Sequence, residues 1–205
     1  MTRPTWIAIL VLCICATVPA AAAPAGWGLR LGRQASSGGH DFTYEYFGST
    51  SHVDYLDAGG WDLGVEARPW QRFSIEGGWS RLEWHTQTYT TPPPELPHEP
   101  FIVQHANTDM DTLSVTGLFH PLVTRHMDGY VGPLLGWTLY EAQGHEADLT
   151  YGLRLGIEFA IGSTPLRLGA EVRRLQLAHS ATDDRDIYGS FHADTAALTI
   201  GYRFR

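Results

Sequence analysis

Ala193-Asp-Thr-Ala-Ala-Leu-Thr-Ile-Gly-Tyr-Arg-Phe-Arg205 changes character at almost every step. Ala196, Leu198, Ile200, Tyr202 and Phe204 fall on one parity, and Ala197, Thr199, Gly201 and Arg203 on the other. Successive side chains of a strand point to opposite faces, so this segment has one apolar face and one small or polar face. It ends on an aromatic one residue before the chain does. In an exported chain, such a strand is the expected closing strand of a membrane-spanning barrel, and the rest of the sequence should supply the strands it closes against.

The N-terminus has the layout of an export signal. Arg3 precedes an apolar run from Trp6 to Val18, and Pro19-Ala-Ala-Ala-Ala-Pro-Ala25 offers small-x-small cleavage sites. The run is shorter than the roughly 20 residues of a spanning helix. Residues 1–23 are therefore expected to be a signal peptide and 24–205 one barrel domain. Both cysteines, Cys13 and Cys15, lie in the signal, so the exported domain is expected to use no disulfide. Basic residues are all Arg, and the formal net charge is -8. An acidic balance without basic clusters argues against nucleic acid as a partner.

Taken in order, the chain gives alternating segments. Trp27, Leu29 and Leu31 oppose Gly28, Arg30 and Gly32; Trp61, Leu63, Val65 and Ala67 oppose Asp62, Gly64, Glu66 and Arg68. The third segment starts with Phe73, Ile75 and Trp79 on the apolar side, with Glu76 opposite. Its parity is expected to slip after Ser80, where Leu82 and Trp84 become the apolar pair, through a bulge or an exit from the bilayer. Leu113, Val115 and Phe119 form the fourth segment, and Val131, Leu135, Trp137 and Leu139 the fifth. The sixth opposes Leu149, Tyr151, Leu153, Leu155, Ile157, Phe159 and Ile161 to Gly152, Arg154, Gly156 and Glu158. The seventh opposes Leu166, Leu168, Ala170 and Val172 to Arg167, Gly169, Glu171 and Arg173.

These are eight strands of an antiparallel up-and-down transmembrane β-barrel, an all-β fold. Long connections (33–54, 86–108, 141–148, 178–190) alternate with short ones (69–72, 120–128, 162–165), as extracellular loops alternate with periplasmic turns. Aromatics gather near strand ends (Trp27, Trp70, Phe73, Phe119, Phe204 low; Trp61, Trp84, Tyr140 high), the pattern of interfacial girdles. A secreted soluble barrel, apolar inside and polar outside, has the same parity. The many glycines on the polar face argue against it, since Gly weakens a water-facing strand.

Ile200-Gly-Tyr-Arg-Phe204, Tyr130-Val-Gly-Pro-Leu-Leu-Gly136 and the alternating hairpins resemble the small OmpA/OmpX/OmpW-type barrels across the whole exported sequence. The resemblance implies a monomer in the outer membrane of a Gram-negative bacterium. Its implied partners are outer-membrane lipids, lipopolysaccharide and the outer-membrane assembly machinery, with Gly201, Tyr202 and Phe204 as the assembly signal. Members include structural anchors, adhesins, small-solute pores and lipid-modifying enzymes. The expected role is non-enzymatic, in membrane structure, surface interaction or stress resistance. An OmpW-like passage for small apolar solutes is the alternative, and a lipid A deacylase-like enzyme the third.

Four sets of residues are candidates for function. Arg30, Arg68, Arg154, Arg167, Arg173 and Arg203 are expected to share the lumen with Asp62, Glu66, Glu76, Glu158 and Glu171, as a paired core or a narrow charged pore. His40, His52, His85, His98, His105, His145, His179 and His192 map to the long-loop side among acids, but without tight metal-ligand spacing; no metal or cofactor is expected. His179-Ser180 lacks the His-x-Ser-Asn order of the deacylases, and adjacent residues of a strand face opposite ways. Tyr44-Glu-Tyr-Phe47 and Pro93–Val103 are loop segments that a rigid scaffold would present outward. If Phe204 is the end that the assembly machinery reads, a chain ending at Phe204 inserts as efficiently as the full chain, measured by heat-modifiable electrophoretic mobility of outer-membrane fractions.

Overall fold

A computed structural model describes residues 26–38, 41–46, 49–91, 102–140, 147–178, 187–188 and 192–204. Its strands are β1 (Gly26–Gly38), β2 (Asp41–Tyr46), β3 (Ser49–Trp70), β4 (Phe73–Thr91), β5 (Ile102–Val123), β6 (Met127–Tyr140), β7 (Ala147–Ala160), β8 (Leu166–Ala178), β9 (Ile187–Tyr188) and β10 (His192–Phe204). Eight of them form one antiparallel ring in the order β1-β10-β8-β7-β6-β5-β4-β3, which the β1–β3 pairing closes. β2 pairs with the upper part of β3, and β9 with β2, outside the ring. No helix among the described residues is long and apolar enough to cross a membrane. The signal segment, His179-Ser180, Arg205 and most of Pro93–Val103 lie outside the described residues.

The barrel is taller than the expected long connections allow. β1 runs to Gly38 and β3 begins at Ser49, inside the stretch 33–54; β4 and β5 extend to Thr91 and from Ile102, inside 86–108. The low connections are short. Arg68 donates from Nε and Nη2 to the Gln71 carbonyl at 3.1 and 2.6 Å, which folds the β3–β4 turn. Thr124 Oγ1 accepts from the amide of Met127 at 2.9 Å in the β5–β6 turn. The connection expected over 120–128 is thus only 124–126: His120 belongs to β5, Asp128 to β6, and both point inward. Gly162 takes φ +59° in the third turn, the left-handed region that favours glycine.

Of the two explanations for the change of apolar parity after Ser80, no bulge occurs in β4, and the pattern fits the strand leaving the apolar band. Along β4 the even residues Ser74, Glu76, Ser80, Leu82, Trp84 and Thr86 are all buried in the interior, while the odd residues stay partly or fully exposed. What changes is the surroundings. Below Ser80 the outer wall is apolar and the interior polar; above it the outer wall carries Arg81, Glu83 and His85 and the interior becomes apolar. Leu82, Trp84, Ala58, Met110, Leu134, Leu175, Leu177 and Ala193 form one buried cluster. Trp84 is 0% exposed and so does not belong to an outer aromatic girdle. The register shift near this level lies on the neighbouring strand, between Tyr55 and Asp57 of β3. Its extra residue turns Tyr55 inward, edge-on to Trp84 at 5.7 Å between ring centroids. Burial pushes the Tyr55 hydroxyl up to about 12, so the ring stays neutral.

On the lower wall Leu198 is 73% exposed, Leu153 63% and Leu135 58%, within a band that continues through Leu29, Leu31, Leu63, Ile75, Val115 and Ile200. Apolar surface of this extent is stable against hydrocarbon rather than water. The soluble reading therefore fails for the lower barrel, although its inside-out rule holds for the upper one. Trp84→Ala is expected to destabilise the barrel by about 3–5 kcal/mol by leaving a cavity. Leu153→Arg, facing lipid, is expected to cost about 2–4 kcal/mol. His85→Ala, one position from Trp84 but outside, should stay within about 0.5 kcal/mol. Urea unfolding of protein folded in lipid vesicles reads all three.

Candidate functional site

The lower interior is built from inward positions of consecutive strands, and the chain places large charged side chains opposite small ones. Tyr130 of β6 stands directly across from Gly156 of β7, where any Cβ would run into the phenol ring. A side chain at Gly64 would likewise meet the Glu76 carboxylate. At these two positions glycine leaves the space that Tyr130 and Glu76 occupy.

Arg154 is the centre of the upper ionic layer. Its Nη1 donates to Glu76 Oε1 at 2.6 Å, and its Nε and Nη2 donate to Glu171 Oε2 at 3.0 and 2.6 Å. Arg30 pairs with the same Glu76 oxygen and donates to the Tyr130 hydroxyl at 3.2 Å. That hydroxyl donates to Glu171 at 2.8 Å. Arg173 bridges Glu171 and Asp62, reaching Asp62 Oδ2 at 2.6 Å. The guanidinium carbons of Arg30 and Arg154 lie 5.8 and 5.5 Å from the Tyr130 ring centroid. Six of the ring strands, β1, β3, β4, β6, β7 and β8, thus meet in one network.

Nearer the short turns a second layer gathers on Asp128. Arg68 pairs with its Oδ2, and Arg203 of the closing strand donates to that oxygen at 2.5 Å and to Glu158 Oε2 at 3.1 Å. Asp128 Oδ1 accepts from His120 Nδ1 at 2.8 Å, and His120 Nε2 shares a 2.8 Å hydrogen bond with Ser74 Oγ. Glu66 Oε1 stands 3.5 Å from the same Nε2. Arg167 lines the space beside Glu66, Glu158 and Arg203, which amounts to about 10 Å³, room for about one water. On the other side of the ionic layers, Thr138 hydrogen-bonds Thr112 at 2.8 Å and Thr150 at 2.6 Å.

The eleven charged residues expected in the lumen thus all lie on the interior side. Sequence reasoning missed Ser74, His120, Asp128 and Tyr130. Tyr130 shares the parity of Gly132 and Gly136, the signal that could have placed it inside. His120 and Asp128 were hidden by reading their segment as a turn.

Of the candidate histidines, His52, His85, His105 and His192 are described, and His85 Nδ1 lies 3.1 Å from Asp57 Oδ1 on the outer wall. His40, His98, His145 and His179 lie outside the described residues, as do the side chains of Tyr44–Phe47. No group of three metal-ligating side chains occurs among the described residues.

Removing Arg154 would leave Glu76 and Glu171 without their shared partner, and uncompensated buried charge is costly. Arg154→Met is expected to cost about 3–5 kcal/mol in urea unfolding. Adding Glu171→Gln to Arg154→Met should recover part of that loss, because the two side chains share one network.

No family model and no curated protein sequence matches the chain. Solved structures do. The outer membrane protein OprG from Pseudomonas aeruginosa matches with a TM-score of 0.58 and 9% identity, over 88% of this chain and 96% of that one. Neisserial surface protein A matches with a TM-score of 0.51 and 10% identity, over 87% and 95%. The outer membrane protein AlkL matches with a TM-score of 0.50 and 11% identity, over 92% and 96%. At such identities the likeness is one of fold. The chain has the eight-stranded antiparallel β-barrel fold that these outer-membrane proteins share.

Proposed function

We propose that the protein is a non-enzymatic outer-membrane barrel whose closed interior makes it a rigid mount for a polar extracellular collar, serving membrane structure and surface interaction. The observation that carries this reading is closure in two materials. Two ionic layers fill the lower lumen, and an apolar cluster around the fully buried Trp84 fills the upper one. An eight-stranded interior is about wide enough for its own side chains and no more. Lipopolysaccharide and the phospholipids around the wall are the partners this reading implies, with the assembly machinery engaging Gly201, Tyr202 and Phe204.

Ser74, His120 and Asp128 have the hydrogen-bond order of a nucleophilic triad. Their setting supports a structural tie instead. All three are buried, and Asp128 also binds two guanidinium groups, so the carboxylate is committed to the ionic layer rather than to His120 alone.

One observation favours the second reading, passage of small apolar solutes. An apolar groove on the outer wall is lined by Trp70, Phe73, Ile75, Phe119, Val131 and Pro133, with Ser74 and Leu118 also on its lining. There the β5–β6 ladder is interrupted between Thr116–Leu134 and Phe119–Val131 without a change of register, beside Pro133, which has no amide hydrogen to donate. Leu118 and Leu134, each 2% exposed, stand between this seam and the interior.

In planar bilayers the pure protein is expected to give no stable unitary conductance; reproducible unitary steps would overturn the closed-lumen reading. An alkyl fluorophosphonate is expected to leave the intact mass unchanged. A stoichiometric adduct that Ser74→Ala abolishes would make the protein an enzyme.

A further inference from the structure

Where the outer wall passes from apolar to polar, three outward side chains stand in one cross-strand row. Arg33 of β1 is directly opposite Trp61 of β3, and Trp61 is directly opposite Arg81 of β4. The row below is Leu31, Leu63 and Trp79, part of the hydrocarbon-facing band; the row above is Ala35, Gly59 and Glu83. The Arg33–Trp61–Arg81 row therefore sits at headgroup level, on the side of the long connections. Gly59 has no side chain, so a notch opens above the Trp61 ring between the two arginines. It is about 320 Å³ in volume and lined by Arg33, Gly59, Gly60, Trp61, Arg81, Glu83 and His85.

The two guanidinium groups differ. Arg81 pairs with Asp109 and lies 3.7 Å from Asp111. Arg33 lies 4.8 Å over the Trp61 ring and has no carboxylate partner among the described residues. A stacked guanidinium keeps its in-plane N–H donors for an oxyanion, and Arg matches phosphate in a bidentate fork. The nearby acids are already engaged: Glu83 accepts from Asn107 at 3.1 Å, and Asp57 faces His85 at 3.1 Å. A cation held at the edge of hydrocarbon, over an aromatic ring and with no carboxylate on it among the described residues, calls for an anion that arrives with the lipid.

We propose that this notch binds the phosphate of an outer-leaflet phosphoglycolipid of the lipid A class, with Arg33 as the main donor, Arg81 as the second, and an acyl chain lying down the Leu31–Leu63 wall. The inference rests on the membrane-barrel reading and adds to it a defined lipid site. Phosphate and acyl chain act together, so inorganic phosphate alone is too small a ligand to compete.

The test is native mass spectrometry of the full chain in phosphatidylcholine nanodiscs doped with bisphosphorylated lipid A. Insertion is checked separately by heat-modifiable mobility. One lipid A is expected to be retained per barrel, about tenfold more weakly in Arg33→Gln, from loss of a charge-assisted contact. Gly59→Leu, which fills the notch and keeps every charge, is expected to weaken retention similarly. Its Cβ would meet Arg33 Nη2 at an ordinary 3.7 Å, so the wall tolerates it. Arg174→Gln, on the outer wall of β8, should leave retention unchanged. The site is overturned if Arg33→Gln and Gly59→Leu both retain lipid A like the wild type, or if Arg174→Gln weakens it as much. It is also overturned if fully dephosphorylated lipid A is retained equally, or if inorganic phosphate displaces the lipid. Failure of the wild-type chain to insert would instead overturn the membrane-barrel reading beneath it.

Discussion

The interior depends on one guanidinium holding two carboxylates. Arg154 joins Glu76 to Glu171, and through them Arg30, Tyr130, Arg173 and Asp62. Each ion is expensive to bury alone and tolerable only when its partners are in place. Those partners come from strands that meet only when the ring is complete, so ionic pairing and barrel closure form one cooperative event. The network adds specificity more surely than it adds net stability. A strand that slips by one residue would turn its arginine or glutamate toward lipid and its leucines inward.

Above that network the same alternation continues with its meaning reversed. Arg81 and Leu82 keep the parity of Trp79 and Ser80, yet the outward residue is now the charged one. The lower barrel follows the rule of a membrane protein, and the upper barrel that of a soluble one. The boundary between them is where the arginine–tryptophan row stands. Aromatic packing around Trp84 and ionic packing around Arg154 thus close the same tube by opposite means, each suited to what lies outside the wall.

Much of the fold was legible because period-two alternation is a local property. The eight ring strands and the inward charges could be read from residues such as Leu153, Arg154 and Leu155 without knowing any partner. Environment was not legible. Leu82 and Trp84 looked like a slipped face because a sequence marks which residues are apolar, not whether lipid or water lies across the wall. Strand ends were missed for the same reason. In 86–91 and 104–108 mostly polar residues follow one another, so the ladder continues with no regular apolar alternation to mark it. His120 and Asp128 were hidden by Pro121, which reads as a turn but sits before the end of β5.

The polar outer wall of the upper barrel has a consequence for how the molecule reaches its place. Arg81, Glu83, Asp109, Asp111, Arg174 and Asp194 lie outside the wall, and in the proposed orientation, with the long connections extracellular, all of them would cross the hydrocarbon once. The crossing is steep in free energy because charged side chains in hydrocarbon are costly. Once made, it is equally steep in reverse. In the proposed membrane setting the collar would act as a ratchet, opposing the first crossing and then opposing its reversal.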